Sequence, residues 1–355
     1  MLALGLGACV AFPADRAESV VVSDGRYAMG TILEITLVAP DPERGRAWLD
    51  AFFVEAERVE QWTSRHREDS ALSRLNAAAG RGPQPTPHEL ADLLTRAQSW
   101  SRETGGAFDI SVGPLVALWK GASARGVAPT APDLAVARAS VGVNAFRVAP
   151  TGVEVAAGAA LDLGALAKGT ALDRIVALAR AQGVEKGLFN FGQSSLWALG
   201  SAPGGGPWRL LLRSADGGHA GVIELRDEAA SISASLGQWS EIGGRRYGHV
   251  LDPRSGRPLL RDAQVVVLDA NAERAEALST AWLVLGAEAG AERVRAVGAE
   301  GLWLGADGGR VSTPGWRDAS GFEDTGRAPP DGARGGQPME PRAAPDADTE
   351  PGRAG

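Results

Sequence analysis

Cysteine occurs once in the 355 residues, as Cys9, and histidine four times, at His66, His88, His219 and His249. A disulfide needs two cysteines, and a Cys/His zinc centre needs close-spaced pairs of ligands, so both are excluded. Any metal held by this chain is held by oxygen. Lysine is scarce as well: Lys120, Lys168 and Lys186 are the only ones, and every other basic residue is arginine. In a sequence that writes arginine almost everywhere, a lysine marks either a place where a compact point charge is wanted or simple drift. The net charge of −7 lacks the basic excess of a nucleic-acid binder. No apolar run is long enough to span a bilayer, and there is no internal repeat. What remains is an apolar fraction of 44%, ordinary for a globular protein, in a chain long enough for one large domain or two modest ones.

The two ends stand apart. Residues 1–10 form a short apolar stretch without a positive flank, and Leu6-Gly7-Ala8-Cys9 resembles a bacterial lipobox, whose cysteine becomes the lipidated first residue. An incidental Cys9 fits the same residues. The expectation adopted is the anchor, with the start codon upstream, residues 1–18 acting as signal and linker, and the mature chain exported to the periplasmic side of the inner membrane. At the other end, residues 324–355 hold six of the 21 prolines and no aromatic side chain. Such a segment buries too little apolar surface to offset the entropy of ordering, so a disordered tail is expected there.

Between the ends, residues 19–38 are rich in Val, Ile and Thr around Ser23-Asp24-Gly25, which predicts a hairpin turning at those three residues. Residues 42–62 change to a helical period, with Leu49, Phe52, Ala56 and Val59 on one face. Thr86-Pro87-His88-Glu89 predicts a capped helix start, followed by Leu90, Leu93, Leu94, Ala97 and Trp100 and closed by Gly105-Gly106. Short strands are expected at 146–149, 153–156, 187–191, 195–199, 208–213, 221–225 and 264–268. Helices are expected at 165–181 and 272–285, a hairpin turn at Gly243-Gly244, and a final helix and hairpin after that. Strands and helices do not alternate strictly, so the predicted class is α+β, with mixed or antiparallel sheets and packed helices.

Four segments carry candidate chemistry. Glu276, Ser279 and Thr280 fall at i, i+3 and i+4 of a helix, a carboxylate and two hydroxyls on one face, which suits Mg2+ completed by waters and substrate phosphates. An exposed Glu beside two polar helix residues fits as well. Residues 161–169 run through Gly164 into a helix carrying Lys168, where free N–H groups and an ammonium favour an anion. An ordinary strand-to-helix turn with a solvated lysine is the alternative. His249 precedes an Asp252-Pro253-Arg254 turn, so it is placed to donate to a phosphate or shuttle a proton, or simply to cap the turn. Asp109 enters an apolar run and, if buried, needs a partner, from a ligand or from its own turn.

The ordered blocks Tyr27-Ala28-Met29-Gly30-Thr31, Asp69 to Asn76, Phe108 to Leu115, Asp162 to Gly169, Phe189-Asn190-Phe191-Gly192, His249 to Gly256, and Glu276 to Thr280 resemble the ApbE-type FAD:protein FMN transferases. The resemblance runs from about residue 27 to residue 315, with every block in family order. It implies an ApbE-like domain over 19–323 that attaches the FMN half of FAD through a phosphoester to a Thr or Ser hydroxyl of a client redox protein, releasing AMP. It also implies Mg2+ as cofactor and FAD as substrate. On this resemblance Met29 and Asp109 contact FAD, Lys168 lies near its phosphates or adenosine end, and Ala165 offers a carbonyl to the metal. Glu276, Ser279 and Thr280 complete the metal site. His249 and the 252–256 turn, with Asp252 and Arg254, line the active cleft, and Asn190 and Gly192 lie against the cofactor.

Three departures accompany it. Glu276 stands where the family usually has Asp. His66 stands where an aromatic ring is expected to stack on the flavin. Gln193 replaces the second glycine of an Asn-x-Gly-Gly run. Two other readings are carried beside transfer: a non-catalytic flavin-binding lipoprotein of a membrane redox complex, and an FAD pyrophosphatase giving FMN and AMP.

Overall fold

The computed structural model describes residues 19–214, 218–235 and 239–324. The lipobox-like residues around Cys9 and the expected tail beyond Asp324 therefore lie outside the described residues. In chain order the elements begin with β1 (Val20–Ala28), β2 (Thr31–Ala39), α1 (Pro42–Thr63), α2 (Ala71–Ala77), α3 (His88–Glu103), α4 (Gly113–Arg125) and α5 (Ala131–Arg138). There follow β3 (Phe146–Ala149), β4 (Gly152–Val155), α6 (Ala167–Ala181), β5 (Gly187–Phe191), β6 (Ser195–Leu199), β7 (Trp208–Arg213), β8 (His219–Leu225) and β9 (Glu228–Ala234). The chain continues through β10 (Trp239–Ile242), β11 (Arg245–Gly248), β12 (Leu251–Asp252), β13 (Arg257–Pro258) and β14 (Ala263–Asp269). The last elements are α7 (Ala272–Leu285), α8 (Ala287–Ala296), β15 (Glu300–Gly305), β16 (Arg310–Ser312), α9 (Trp316–Ser320) and β17 (Glu323–Asp324).

An eight-stranded sheet in the order β1-β2-β5-β6-β9-β14-β15-β16 forms the spine, and each neighbouring pair is antiparallel. This is the α+β class expected from the sequence. Side chains alternate between the two faces of a strand, and here both faces are apolar. Val265 and Val267 of β14 join the core formed with α1, α6 and α7, whereas Val266 and Leu268 join a second core under β7, β8 and α9. Trp197 and Leu199 of β6 face the helices, and Leu196 and Ala198 face the other way. Each fully buried Val or Leu in such a layer contributes about 1.5–3 kcal/mol. Among the described residues, no helix is long and apolar enough to cross a membrane.

Several elements differ from expectation. The first hairpin does not turn at Ser23-Asp24-Gly25: β1 runs straight through them, pairing Asp24 with Ile35 and Gly25 with Glu34. The turn is Met29-Gly30, both at positive φ (50° and 83°), the two-residue geometry that matches strand twist. Thr86 does not cap α3. Its hydroxyl donates to the Gln84 carbonyl at 3.0 Å, and the helix starts after Pro87 without a side-chain cap. Helix α6 begins at Ala167 rather than Ala165. The apolar run after Asp109 becomes helix α4, with Pro114 in its first turn. Asp324, the first residue of the expected tail, pairs with Gly221.

Candidate functional site

The centre of the site is the crossing of α6 and α7. Asn271 caps α7 conventionally, its carboxamide oxygen accepting from the Arg274 N–H at 2.7 Å. A second cap comes from the other helix: the Asp173 carboxylate of α6 accepts from the N–H groups of Ala272 and Glu273 at 2.8 and 2.9 Å. Burial lifts the Asp173 carboxyl to about 7, outweighing the two N–H donors, which favour its charged form. Glu273, also buried, takes a two-pronged ion pair from Arg96 of α3 (2.7 and 3.0 Å) and the Thr170 hydroxyl at 2.9 Å. That pairing holds the Arg96 guanidinium above its usual range. Gly169 is required at the crossing, because a Cβ there would lie 2.5 Å from the Ala272 carbonyl oxygen.

These anchors deliver Glu276 to the start of α6. Its side chain is only 4% exposed, and its Oε2 accepts from the Gly169 N–H at 2.8 Å. Its Oε1 accepts from the Ser195 hydroxyl and lies 3.2 Å from Lys168 Nζ. Ser279, one turn on, is fully buried and shares hydrogen bonds with Ser231 (2.9 Å) and Ser233 (2.8 Å). Thr280 reaches Ser233 at 3.5 Å and is partly exposed. Among the described residues, no group of three or more His, Cys, Asp or Glu is arranged to hold a metal. The donors gathered at the crossing are instead one carboxylate, Glu276, and the hydroxyls of Ser195, Ser279 and Thr280; Ala165 is exposed just before α6. Such hard, oxygen-only donors fit Mg2+ that keeps waters and is completed by substrate phosphates.

Beside this crossing lies a cavity of about 470 Å3, lined by Tyr27, Met29, Glu60, Arg65, His66 and Lys168 among others. Met29 sits at the tight hairpin turn, its N–H donating to Glu60 Oε2 at 3.1 Å. Arg65 is pinned to Asp162 at 3.0 Å, which holds the loop bearing His66 against the entry to α6. Lys168 is the link between the cavity and Glu276. Of the residues singled out in the sequence, Met29, His66 and Lys168 line this cavity together, Glu276 adjoins it through the lysine, and Ser279 and Thr280 lie further along α7 against Ser231 and Ser233.

The remaining candidates are placed elsewhere. Asn190 donates to Glu34 at 2.8 Å and accepts from the Gln193 N–H at 2.9 Å, bracing the β5–β6 turn. Gly192 in that turn packs on Thr31, where a Cβ would lie 2.5 Å from the hydroxyl, and Gln193 follows at φ 60°. The crowding that Gly192 relieves is therefore with the first hairpin. Asp109 is buried, and the partner left open by the sequence is supplied by the protein: Ser101 Oγ at 2.9 Å and the Ser111 N–H at 2.8 Å. Asp252 binds the Arg254 guanidinium at 2.9 and 3.0 Å, which raises the guanidinium further above its usual range. Their turn is fixed by Trp119, whose indole N–H donates to the Gly256 carbonyl at 2.8 Å. His249 is exposed just after β11. None of Asp109, Asp252, Arg254 or His249 is among the residues lining the cavity.

Ser195, Ser231, Ser233, Asp173, Glu273 and Arg96 did not emerge from the sequence. The only signal for them is serine at buried strand positions and an Asp five residues after Lys168.

Residues 29–303 match the ApbE family. The chain is 32% identical over 309 residues to the FAD:protein FMN transferase of Treponema pallidum (strain Nichols), spanning 80% of this chain and 83% of that protein. It is 29% identical over 302 residues to a protein of the same name from Klebsiella pneumoniae (strain 342), spanning 80% and 86%. Among solved structures, the flavin transferase ApbE from Vibrio cholerae aligns with a TM-score of 0.75 at 26% identity, over 84% of this chain and 99% of that one. The apo flavinyl transferase ApbE of Pseudomonas stutzeri aligns with a TM-score of 0.75 at 28% identity, over 85% and 98%. The match takes in the first hairpin turn at Met29, the cavity lining apart from Tyr27, and both helices of the Lys168–Glu276 contact, and on it this chain belongs to the ApbE family.

Proposed function

We propose that this chain transfers the FMN part of FAD to a Thr or Ser hydroxyl of a client protein and releases AMP. The observation that carries the reading is Lys168, one residue that both lines the cavity and touches the buried Glu276. A pyrophosphate bound in the cavity would lie within reach of this ammonium and, through it, of the Glu276 carboxylate. The names of the similar proteins from Treponema and Klebsiella support the same activity.

In this reading Tyr27, Met29 and His66 hold the flavin end of FAD, and the Lys168 ammonium orients the phosphates. The client hydroxyl oxygen attacks the flavin-side phosphorus in line, the P–O bond to the AMP phosphate breaks, and AMP leaves with that electron pair. His249, on the exposed bend, accepts the hydroxyl proton, and the Asp252–Arg254 turn beneath it shapes the surface that meets the client. Asp109, Asn190 and Gly192 act from behind, holding the loops that frame the cleft. Glu276, Thr280, Ser279 and the Ala165 carbonyl would hold Mg2+, which when bound supplies Lewis-acid stabilisation of the phosphate charge. The proposal places the chain on the periplasmic face of the inner membrane, tethered at Cys9; the lipobox-like residues 6–9 support this.

The test is incubation of the full chain with FAD and Mg2+, with and without a candidate client, followed by mass spectrometry and AMP quantification. A client mass gain equal to FMN with matching AMP is expected. FMN and AMP appearing without a client would make the chain a pyrophosphatase. Bound flavin with no AMP in either tube would make it a non-catalytic flavin carrier.

A further inference from the structure

Glu276 and Lys168 meet in a way that the transfer reaction alone does not require. The carboxylate is almost wholly buried, and an uncompensated charge there is costly, so a cation must stand beside it whenever no metal is bound. Its two oxygens are held differently. Oε2 accepts from the Gly169 N–H, a backbone group fixed where α6 presses on Ala272. Oε1 carries the Ser195 hydroxyl and the Lys168 ammonium, the latter on a flexible four-carbon stem. The lysine side chain is 21% exposed and lines the cavity, so its ammonium has somewhere else to go. Among the described residues, Glu276 is its one ion-pair partner.

Resting on the transfer reading above, we propose that Lys168 is an exchangeable counter-cation: it neutralises Glu276 in the free protein, yields Oε1 when a divalent cation binds, and swings into the cavity to pair with a phosphate of the dinucleotide. One ammonium serves two anions in turn. Metal alone must displace the lysine with no phosphate to receive it. Dinucleotide alone must draw the lysine off a buried carboxylate. Each ligand removes the other's obstacle, so their binding is mutually reinforcing, and the reinforcement is reciprocal by linkage.

The experiment is equilibrium binding of Mn2+ to the full chain at pH 8, read by the electron paramagnetic resonance signal of free Mn2+, with and without FAD. Removing the competing ammonium in Lys168→Met is expected to tighten Mn2+ binding without FAD by about tenfold, from the loss of a like charge a few ångströms away. The factor by which FAD strengthens Mn2+ binding should shrink in the same variant. Because Lys168→Met leaves a buried carboxylate unpaired and endangers folding, Lys168→Arg is measured beside it. A guanidinium fork grips a carboxylate more firmly than an ammonium, so this variant should bind Mn2+ alone several-fold more weakly than the parent. Wild-type Mn2+ affinity in the folded variants would overturn the exchange and leave the transfer reading standing. A parent chain that binds no Mn2+ even with FAD would remove both.

Discussion

At the residue scale, Glu276 concentrates the chemistry. Among the described residues it is the one carboxylate paired with Lys168, and it is buried with donors on both oxygens. Glu276→Ala should lower divalent-metal-dependent FMN transfer by about a hundredfold or more, the scale on which a lost metal ligand or charge-stabilising group acts. Glu276→Asp keeps the carboxylate one methylene back and should retain turnover within about tenfold, because Mg2+ binding through waters tolerates a small displacement. Initial rates of AMP release with FAD and client measure both, and full activity in Glu276→Ala would take the residue out of the site. The hydroxyls around it differ in standing. Ser279 is committed to Ser231 and Ser233, whereas Thr280 is partly exposed with one long contact, so Thr280 has the freer oxygen of the two.

At the scale of elements, the site depends on how closely α6 and α7 approach. Gly169 is the contact point, and a methyl group there meets the backbone of Ala272 and Glu273 at 2.5–2.7 Å, which neither helix can absorb by a side-chain rotation. Gly169→Ala should cost about 1–3 kcal/mol, as overpacking of a tight contact does, and should lower transfer by drawing the Gly169 N–H away from Glu276. A thermal melt and the AMP assay on the same sample test this; an unchanged melting temperature would mean the helices adjust freely. The legibility of these elements from sequence follows their physics. Strands β5, β6 and β7 and helix α7 were readable to the residue, since each has a clear period and turn residues on both sides. Local pattern misleads at the first hairpin: Ser23-Asp24-Gly25 is good turn chemistry, yet the tight turn forms at Met29-Gly30, where a non-glycine residue takes positive φ. The Glu276, Ser279 and Thr280 face could be read from i, i+3, i+4 spacing. Ser195, Ser231, Asp173 and Arg96 could not, because they reach the site through strand register and helix crossing, which no local pattern encodes.

At the scale of the whole molecule, one antiparallel sheet separates two apolar cores, and the carboxylates trapped near those layers set how its stability responds to pH. Burial lifts Asp173 from an ordinary 3.8 to about 7 and Glu228 from 4.5 to about 7. Asp269 is raised as well, also by burial. A carboxyl raised in the folded state keeps its proton over a range where the unfolded chain has already lost it. Stability from these groups is therefore complete below about pH 4, falls as pH rises toward about 7, and is level above that. The acids shifted the other way, exposed Asp69 and Asp133 and half-buried Glu89, lie at or near the surface, where solvent screening leaves their contribution small. Replacing Asp173 and Glu228 together by Asn and Gln removes both trapped protons while keeping the side-chain shapes. Between pH 5 and pH 8 the urea midpoint of this double variant should fall less than that of the parent. Equal falls would mean that neither group holds its proton in the folded state, and that the Asp173 cap on α7 works as a charged carboxylate throughout that range.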